Sequence, residues 1–208
     1  LFETFEGDIG KKFTNYNGEE FLIVRSLAGY DLPSDYTGIV KDLQGNKAWI
    51  KNGKFYRDDE PTIIMHNGEK RWVNSDGNYH REGDEPASIN PNDGSMFFFK
   101  NGKLHRENNL PAVIKPGMNK YYVEDELHRT NGPAIQFANK LDGRNQWFLF
   151  GKRYDDRKSW QKAISKLNEK IKNPSIDKLN LSPSAQSAIV ARNSGRAKYR
   201  YRAWCMIK

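Results

Sequence analysis

Residues Phe98–Ile114 read FFKNGKLHRENNLPAVI. This stretch begins with aromatic residues of high β-propensity, passes through an Asn-Gly pair and ends in Pro-Ala-Val-Ile. Asn-Gly between apolar residues, and equally the Asp-Gly pair at Asp76-Gly77, favours a type I′ turn, in which both central residues need a positive φ. Proline can begin the following strand, where no ladder donor is needed. The stretch therefore predicts a small β-hairpin followed by a return strand.

The same phrase recurs along the chain. Its shared histidine or tyrosine position is occupied in turn by Tyr56, His80, His105, His128 and Tyr154. The steps between these positions are 24, 25, 23 and 26 residues, a period typical of a stacked array. A single hairpin is marginal in water, so the units must stack to bury their aromatic rings. We therefore predict a mainly β fold, a stacked array of about five β-hairpin units with a C-terminal helical segment and a basic extension.

The complete phrase resembles a known kind of repeat. Aromatic-x-x-Asn-Gly-Lys-x-His-Arg, followed by Pro-Ala-x-Ile, is similar to the degenerate MORN-like hairpin repeat of uncharacterised proteins from tailed bacteriophages and large DNA viruses. The resemblance covers residues 47 to 170 and implies a repeat architecture whose last copy runs into a helix. It implies no activity. The chain departs from the pattern at Glu124-Asp125, which replaces Asn-Gly, and at Tyr56, which replaces histidine.

The chain divides into four predicted segments. The first 46 residues do not match the phrase and are expected to form an N-terminal β cap, since terminal repeats are usually atypical. The hairpin array is expected at 47–154. A capping helix is expected at 155–173, because apolar residues from Trp160 to Ile171 recur at spacings of 3 and 4. A basic extension is expected at 174–208.

Charge is concentrated at the C-terminal end. Residues 151–208 contain 15 Lys and Arg against four acidic residues, a net charge of +11. The other 150 residues carry 19 basic and 22 acidic groups, a net charge of −3 that completes the total of +8. Near the end, basic residues alternate with aromatic or small ones, which is typical of a strand with one charged face.

Three interpretations of the basic extension remain open. Its cations and rings suit phosphates and stacked bases of a single-stranded nucleic acid. The same charge suits an acidic protein surface. The third interpretation is a solvated face that protects a sheet edge. The candidate nucleic-acid or partner-binding residues are Arg192, Arg196, Lys198, Tyr199, Arg200, Tyr201, Arg202 and Trp204.

The recurring polar residues are predicted to be structural. Neighbouring histidines of the array should lie about 10 Å or more apart, which is too far for a shared zinc ion. Each His-Arg pair is instead expected to bond backbone groups of the loop that follows. An alternative is a ladder of cations for an extended anion, although acidic residues in the same loops argue that the arginines are neutralised. The predicted structural set is His80, His105, His128, Arg57, Arg81, Arg106, Arg129, Gly53, Gly77 and Gly102.

No catalytic, metal or cofactor signature accompanies these residues. The sequence has no phosphate-binding glycine loop, no His-Glu-x-x-His and no paired-cysteine motif. Its one cysteine, Cys205, excludes an intrachain disulfide and favours a reducing compartment. Neither a signal peptide nor an apolar run long enough to span a membrane is recognisable. We expect a location in the host cytoplasm or in a virion.

The sequence thus favours a non-enzymatic structural or interaction protein, a phage or viral component that presents a rigid surface to protein partners in a larger assembly. The alternative is an accessory protein that binds nucleic acid through the basic extension.

Overall fold

The computed structural model describes residues 6–27, 34–138 and 144–172. These residues form a mainly β structure with one α-helix, near the C-terminal end of the described part, which confirms the predicted class. They divide into two compact units between Lys103 and Leu104. Within the described residues, no helix is both long enough and apolar enough to cross a membrane.

The first unit is built on a sheet of short strands. After a 3₁₀ turn at Glu6–Asp8, its strands are β1 (Lys12–Thr14), β2 (Glu20–Val24), β3 (Gly38–Asp42), β4 (Lys47–Lys51), β5 (Lys54–Phe55), β6 (Ile63–Ile64), β7 (Lys70–Arg71), β8 (Ser88–Ile89) and β9 (Met96–Phe97). The order in this unit is β1-β2-β3-β4-β6-β7-β8-β9, with β5 folded back on β4. The β2–β3 pair is parallel. Strand β10 (Phe99–Lys100) forms a hairpin with β11 (Lys103–Leu104).

Strand register aligns the core of the first unit. One cross-strand row consists of Leu22, Val40, Ala48, Ile63, Arg71 and Ser88. Val40 and Ala48 are fully buried, and Phe55 packs into the same cluster because β5 folds back on β4. Burial of a large apolar side chain stabilises the fold by about 2 kcal/mol. The row changes from apolar to polar at Arg71, whose guanidinium pairs with the Glu69 carboxylate.

The second unit combines a small sheet, two hairpins and the helix. Its elements are β12 (Val113–Lys115), β13 (Met118–Lys120), β14 (Tyr122–Val123), β15 (Glu126–Leu127), β16 (Ile135–Phe137), β17 (Trp147–Leu149), β18 (Lys152–Tyr154) and α1 (Arg157–Lys172). Strands β12, β13 and β16 are antiparallel neighbours, while β14–β15 and β17–β18 are separate hairpins. The fully buried Ala134 and the nearly buried Trp160 belong to this unit's core.

Four hairpin turns have a positive φ at both central residues, as a type I′ turn requires. Two of them are the predicted Asn-Gly turns, Asn52-Gly53 (φ 50° and 70°) and Asn101-Gly102 (φ 49° and 83°). Glu124-Asp125 (φ 50° and 68°) and Phe150-Gly151 (φ 49° and 71°) adopt the same conformation. The left-handed conformation costs a residue other than glycine about 1–2 kcal/mol, so tertiary contacts must hold the Glu124-Asp125 turn.

The prediction of a type I′ turn at Asp76-Gly77 is wrong. Only Gly77 has a positive φ there, of 80°. The loop is longer, because the Asn74 side chain accepts hydrogen bonds from the amides of Asp76 (3.1 Å) and Asn78 (3.0 Å). An asparagine that binds the backbone ahead of it stabilises this wider turn, which needs one left-handed residue instead of two.

The predicted N-terminal hairpin and C-terminal helix are both present. Strands β1 and β2 pair across a loop that contains Asn17 and Gly18, with Lys12 opposite Leu22. Helix α1 begins at Arg157, after Asp156, whose Oδ1 accepts the Ser159 amide at 2.8 Å as an N-cap. The predicted basic extension, with its strand-like alternation near the end, lies outside the described residues.

Candidate functional site

The three recurring histidines make the same contact, which we name the histidine latch. In each latch, the histidine Nδ1 accepts a hydrogen bond from the first residue of the next left-handed turn. The distances are 3.2 Å from His80 to the Asn101 amide, 3.4 Å from His105 to the Glu124 amide and 3.2 Å from His128 to the Phe150 amide. Each histidine therefore ties its own hairpin to the hairpin that follows.

A backbone bond accompanies each latch. The second turn residue donates its amide to the carbonyl of the residue that precedes the histidine. These bonds join Gly102 to Tyr79 (2.8 Å), Asp125 to Leu104 (3.0 Å) and Gly151 to Leu127 (3.0 Å). The two adjacent amides of a left-handed turn are thus both satisfied by the preceding hairpin. This pairing explains how Glu124 and Asp125 are held without glycine.

Latch geometry determines the histidine tautomer. A neutral ring that accepts at Nδ1 carries its proton on Nε2. At His80 this proton points to Glu82, whose Oε1 lies 2.9 Å from Nε2. The interaction with His80 lowers the pKa of Glu82. At His105 the nitrogen Nδ1 also lies 3.1 Å from Glu124 Oε1, so a ring protonated at Nδ1 would bond the carboxylate instead of the amide.

His128 is the latch with the clearest electrostatic signature. Its side chain is 6% exposed, and its ring centroid lies 4.1 Å from that of Phe150. Burial lowers the pKa of His128 to about 4, although the nearby Glu126 carboxylate partly opposes this shift. The ring is therefore neutral at physiological pH and stays a hydrogen-bond acceptor.

The N-terminal segment contains an unpredicted version of the latch. Thr37 Oγ1 accepts the Asn52 amide at 3.0 Å, while the Tyr36 carbonyl accepts the Gly53 amide at 2.9 Å. Tyr36-Thr37 thus occupies the place that Tyr79-His80 occupies two hairpins later. In contrast, Tyr56 is 43% exposed, and its hydroxyl donates to Asp58 at 2.6 Å. Sequence reasoning missed Thr37 because a threonine has no resemblance to the His-Arg phrase.

The four recurring arginines make a second contact, the arginine clasp. In each case Nη1 donates to the carbonyl of the proline in the same phrase. The distances are 3.1 Å from Arg57 to Pro61, 3.3 Å from Arg81 to Pro86, 3.3 Å from Arg106 to Pro111 and 3.2 Å from Arg129 to Pro133. The clasp fixes the loop between the histidine and the return strand.

The clasp arginines also lie over aromatic rings. The guanidinium carbons of Arg57, Arg81 and Arg129 lie 3.6, 3.9 and 3.6 Å from the ring centroids of Trp49, Trp72 and Tyr121. Arg57 also pairs with Glu60, and Arg81 pairs with Glu85 at 3.7 Å. These charges are directed at groups of their own loop, which weakens the interpretation of a free cation ladder.

A second row of contacts joins turns of the first unit. The Asn46 side chain accepts the His66 amide at 3.0 Å, and the Asn92 side chain donates to the Asn67 carbonyl at 3.0 Å. Asn46 is itself held by the buried Asp42, whose Oδ2 accepts from it at 2.8 Å. Successive turns are therefore also linked by side chains, independently of the latches.

One cleft in the first unit has a volume of about 260 Å³. Phe55, Val73 and other apolar residues line it beside Asp42 and Arg71. Both charged groups are compensated: Arg71 holds Glu69 through Nε (2.8 Å) and Nη2 (3.0 Å), and Asp42 Oδ1 accepts the Asn46 amide at 2.9 Å. Arg71 lowers the pKa of Glu69. The cleft is thus lined by both apolar and polar residues, and its charged residues Asp42 and Arg71 already form hydrogen bonds with neighbouring groups.

Helix α1 has one buried and one charged side. Trp160 is 4% exposed, lies 4.6 Å from the Trp147 ring and donates Nε1–H to the Arg129 carbonyl at 3.3 Å. Hydrogen bonds from the Ser159 backbone, helped by the nearby Lys158 charge, lower the pKa of Asp156. The helix is therefore anchored to its own unit by Trp160, while Arg157, Lys158, Lys162 and Lys166 are exposed.

The predicted histidines each contact the next left-handed turn, and the predicted arginines each contact a proline carbonyl of their own phrase. The predicted glycines, Gly53, Gly77 and Gly102, lie in turns. Arg192, Arg196, Lys198, Tyr199, Arg200, Tyr201, Arg202 and Trp204 lie outside the described residues, as does Cys205. Among the described residues, no group of three or more His, Cys, Asp or Glu side chains is arranged to hold a metal ion. Comparison with protein families, with curated proteins and with solved structures found no match to this chain.

Proposed function

We propose that this chain is a non-enzymatic interaction scaffold, in which about five hairpin units form a rigid array for protein partners. The observation that carries the proposal is the repeated latch. Three histidines and one threonine each accept a hydrogen bond from the first residue of a left-handed turn. Contacts to the backbone that recur with this regularity support a role in holding a shape.

The clasp supports the same function. An arginine stacked on a ring and bonded to a proline carbonyl makes a loop stiff, because the guanidinium plane is fixed on two sides. A stiff surface loses little conformational entropy when a partner binds, which favours affinity. We propose that the array works in a larger assembly of phage or viral origin, as its resemblance to MORN-like repeats suggests.

Cross-linking mass spectrometry of the tagged full chain, in the particles or cells that produce it, tests this function. We expect protein cross-links at residues 47–154. An R81A/R129A variant should lose them because two clasps are removed, whereas R25A should retain them, since Arg25 makes only an exposed pair with Glu6. Cross-links confined to residues beyond 174, or unchanged in R81A/R129A, would refute the scaffold.

The alternative function is nucleic-acid binding by the basic extension. Its support is the net charge of +11 in residues 151–208. Binding to single-stranded DNA or RNA in a salt series would decide it, with the full chain compared with a chain that ends at Pro174. Steeply salt-dependent binding by the full chain alone would favour this alternative.

A further inference from the structure

Helix α1 carries a row of three lysines on its exposed side. Lys158, Lys162 and Lys166 are spaced four residues apart, so they lie one above another on the helix surface. All three are exposed. Within the part of the chain that the structure describes, none of them forms an ion pair. We name these three residues the lysine stripe.

The stripe is unfavourable for an isolated helix. Like charges at positions i and i+4 repel each other, and the stripe contains two such pairs. The first turn has no acidic residue, although Arg157 and Lys158 lie next to the positive end of the helix dipole. Lys158 interacts favourably with the Asp156 carboxylate, but the central Lys162 has a lysine at both i−4 and i+4, so helix stability does not explain why lysine occupies that position. An anionic partner would explain it, because binding removes the repulsion.

The opposite side of the helix fixes the orientation of the stripe. Trp160 is buried against Trp147 and bonds to the Arg129 carbonyl, so α1 cannot turn its basic side inward without losing these contacts. Gln161 and Ser165, which are exposed near the stripe, are uncharged and have no aromatic ring. The surface thus offers cations and hydrogen bonds but no ring on which a base can stack.

We propose that the lysine stripe is a docking surface for the phosphate backbone of duplex DNA. Four residues of helix rise about 6 Å, so the three lysines place evenly spaced cations along about 12 Å of the helix surface. The absence of stacking side chains among these exposed positions favours a duplex, whose phosphates face outward, over a single strand. Contacts of this kind give binding without sequence preference. The inference goes beyond the proposed function and does not depend on protein partners.

The test measures binding of the full chain to a 20-base-pair DNA duplex across a salt series. K158Q/K162Q/K166Q removes the stripe. If all three lysines contact phosphates, the slope of log K against log salt should become shallower by about 2.7, that is 0.9 for each contact. The affinity should fall at least tenfold at low salt. A K51Q/K54Q/K70Q variant is the matched control, because it removes three exposed lysines elsewhere and lowers the net charge equally.

A second variant separates binding from stability. K162E places an acid between two lysines at the i−4 and i+4 positions and should raise the Tm, since repulsion becomes attraction. The same variant should weaken DNA binding. A helix whose lysines were merely solvated would show the first effect without the second.

The proposal is overturned if the stripe variant binds duplex DNA as tightly as the natural chain, or if the matched control loses affinity equally. It also fails if a full-length R196Q/K198Q/R200Q/R202Q variant no longer binds duplex DNA, since the extension would then be the site. Binding of an acidic polypeptide or duplex RNA without binding of duplex DNA would reject the proposed partner.

Discussion

The His128 latch should make the stability of the protein depend on pH. Its imidazole is buried, accepts the Phe150 amide at Nδ1 and has a pKa lowered by burial to about 4, against 6.5 for an exposed histidine. In the unfolded chain, the same ring should titrate near 6.5. Between these two values the unfolded state binds one more proton than the folded state does.

The sign and magnitude follow from this difference. The pKa of His128 is lower in the folded state than in the unfolded state, so burying the neutral ring carries no titration cost above pH 6.5. The free energy of unfolding then falls as the pH drops from 6.5 towards 4. A shift from 6.5 to about 4 corresponds to about 3 kcal/mol, at about 1.4 kcal/mol for each pKa unit. Acid should therefore remove about 3 kcal/mol through this one histidine, a large part of the roughly 5–15 kcal/mol typical of a domain.

Urea unfolding between pH 3.5 and 8 provides the assay, with H128N and H128Q as paired variants. Both lack a titrating ring, so each should lose about 3 kcal/mol less than the natural chain on acidification. The Asn Oδ1 lies near the former Nδ1 position and can accept the Phe150 amide, so H128N should be the more stable of the two at pH 7.5. An NMR titration midpoint of His128 near 6.5, or identical pH profiles for all three proteins, would refute this reasoning.

Three further predictions concern the latches, clasps and turns, all measured as free energies of urea unfolding at pH 7. G53A should cost about 2 kcal/mol more than G94A, because both glycines have nearly the same φ (70° and 71°) but a Cβ on Gly53 would lie 2.7 Å from a backbone oxygen; equal losses would contradict the close approach. R129K should cost about 1–2 kcal/mol through lost stacking and bonding, while R25K changes little; a small effect at both sites would show that the clasp is dispensable. T37V keeps the side-chain shape but loses the bond to the Asn52 amide and should cost about 0.5 kcal/mol; no loss would argue against a threonine latch.

Turn chemistry was the most informative part of the sequence for the fold. Asn52-Gly53 and Asn101-Gly102 have the predicted left-handed geometry, because these residue types adopt it at low cost. Asp76-Gly77 does not, since the preceding Asn74 binds the loop backbone and widens the turn. A dipeptide therefore predicts a turn well only when no side chain nearby competes for the same amides.

The identity of the latch partners could not be predicted in the same way. A repeat period shows that His80, His105 and His128 are equivalent, but not which amide each one accepts, because that depends on how adjacent hairpins align. Thr37 and Glu124-Asp125 carry no recognisable signature, yet they take part in the same contacts. Tertiary hydrogen bonds can hold a left-handed turn that local propensity disfavours. Residues of different types can therefore make the same contact in different repeats, which the sequence pattern does not reveal.

The latch also explains why histidine suits this position better than lysine or arginine. A buried acceptor at this position must accept a hydrogen bond from an amide without carrying a charge. A neutral imidazole meets both conditions at physiological pH. Arginine has no acceptor and is instead placed where a carbonyl and an aromatic face are available, as in the clasp. The adjacent His and Arg of each phrase thus perform opposite tasks: the first accepts an amide from the next hairpin, and the second donates to a carbonyl of its own loop. Exchanging the two residues would leave both backbone groups unsatisfied.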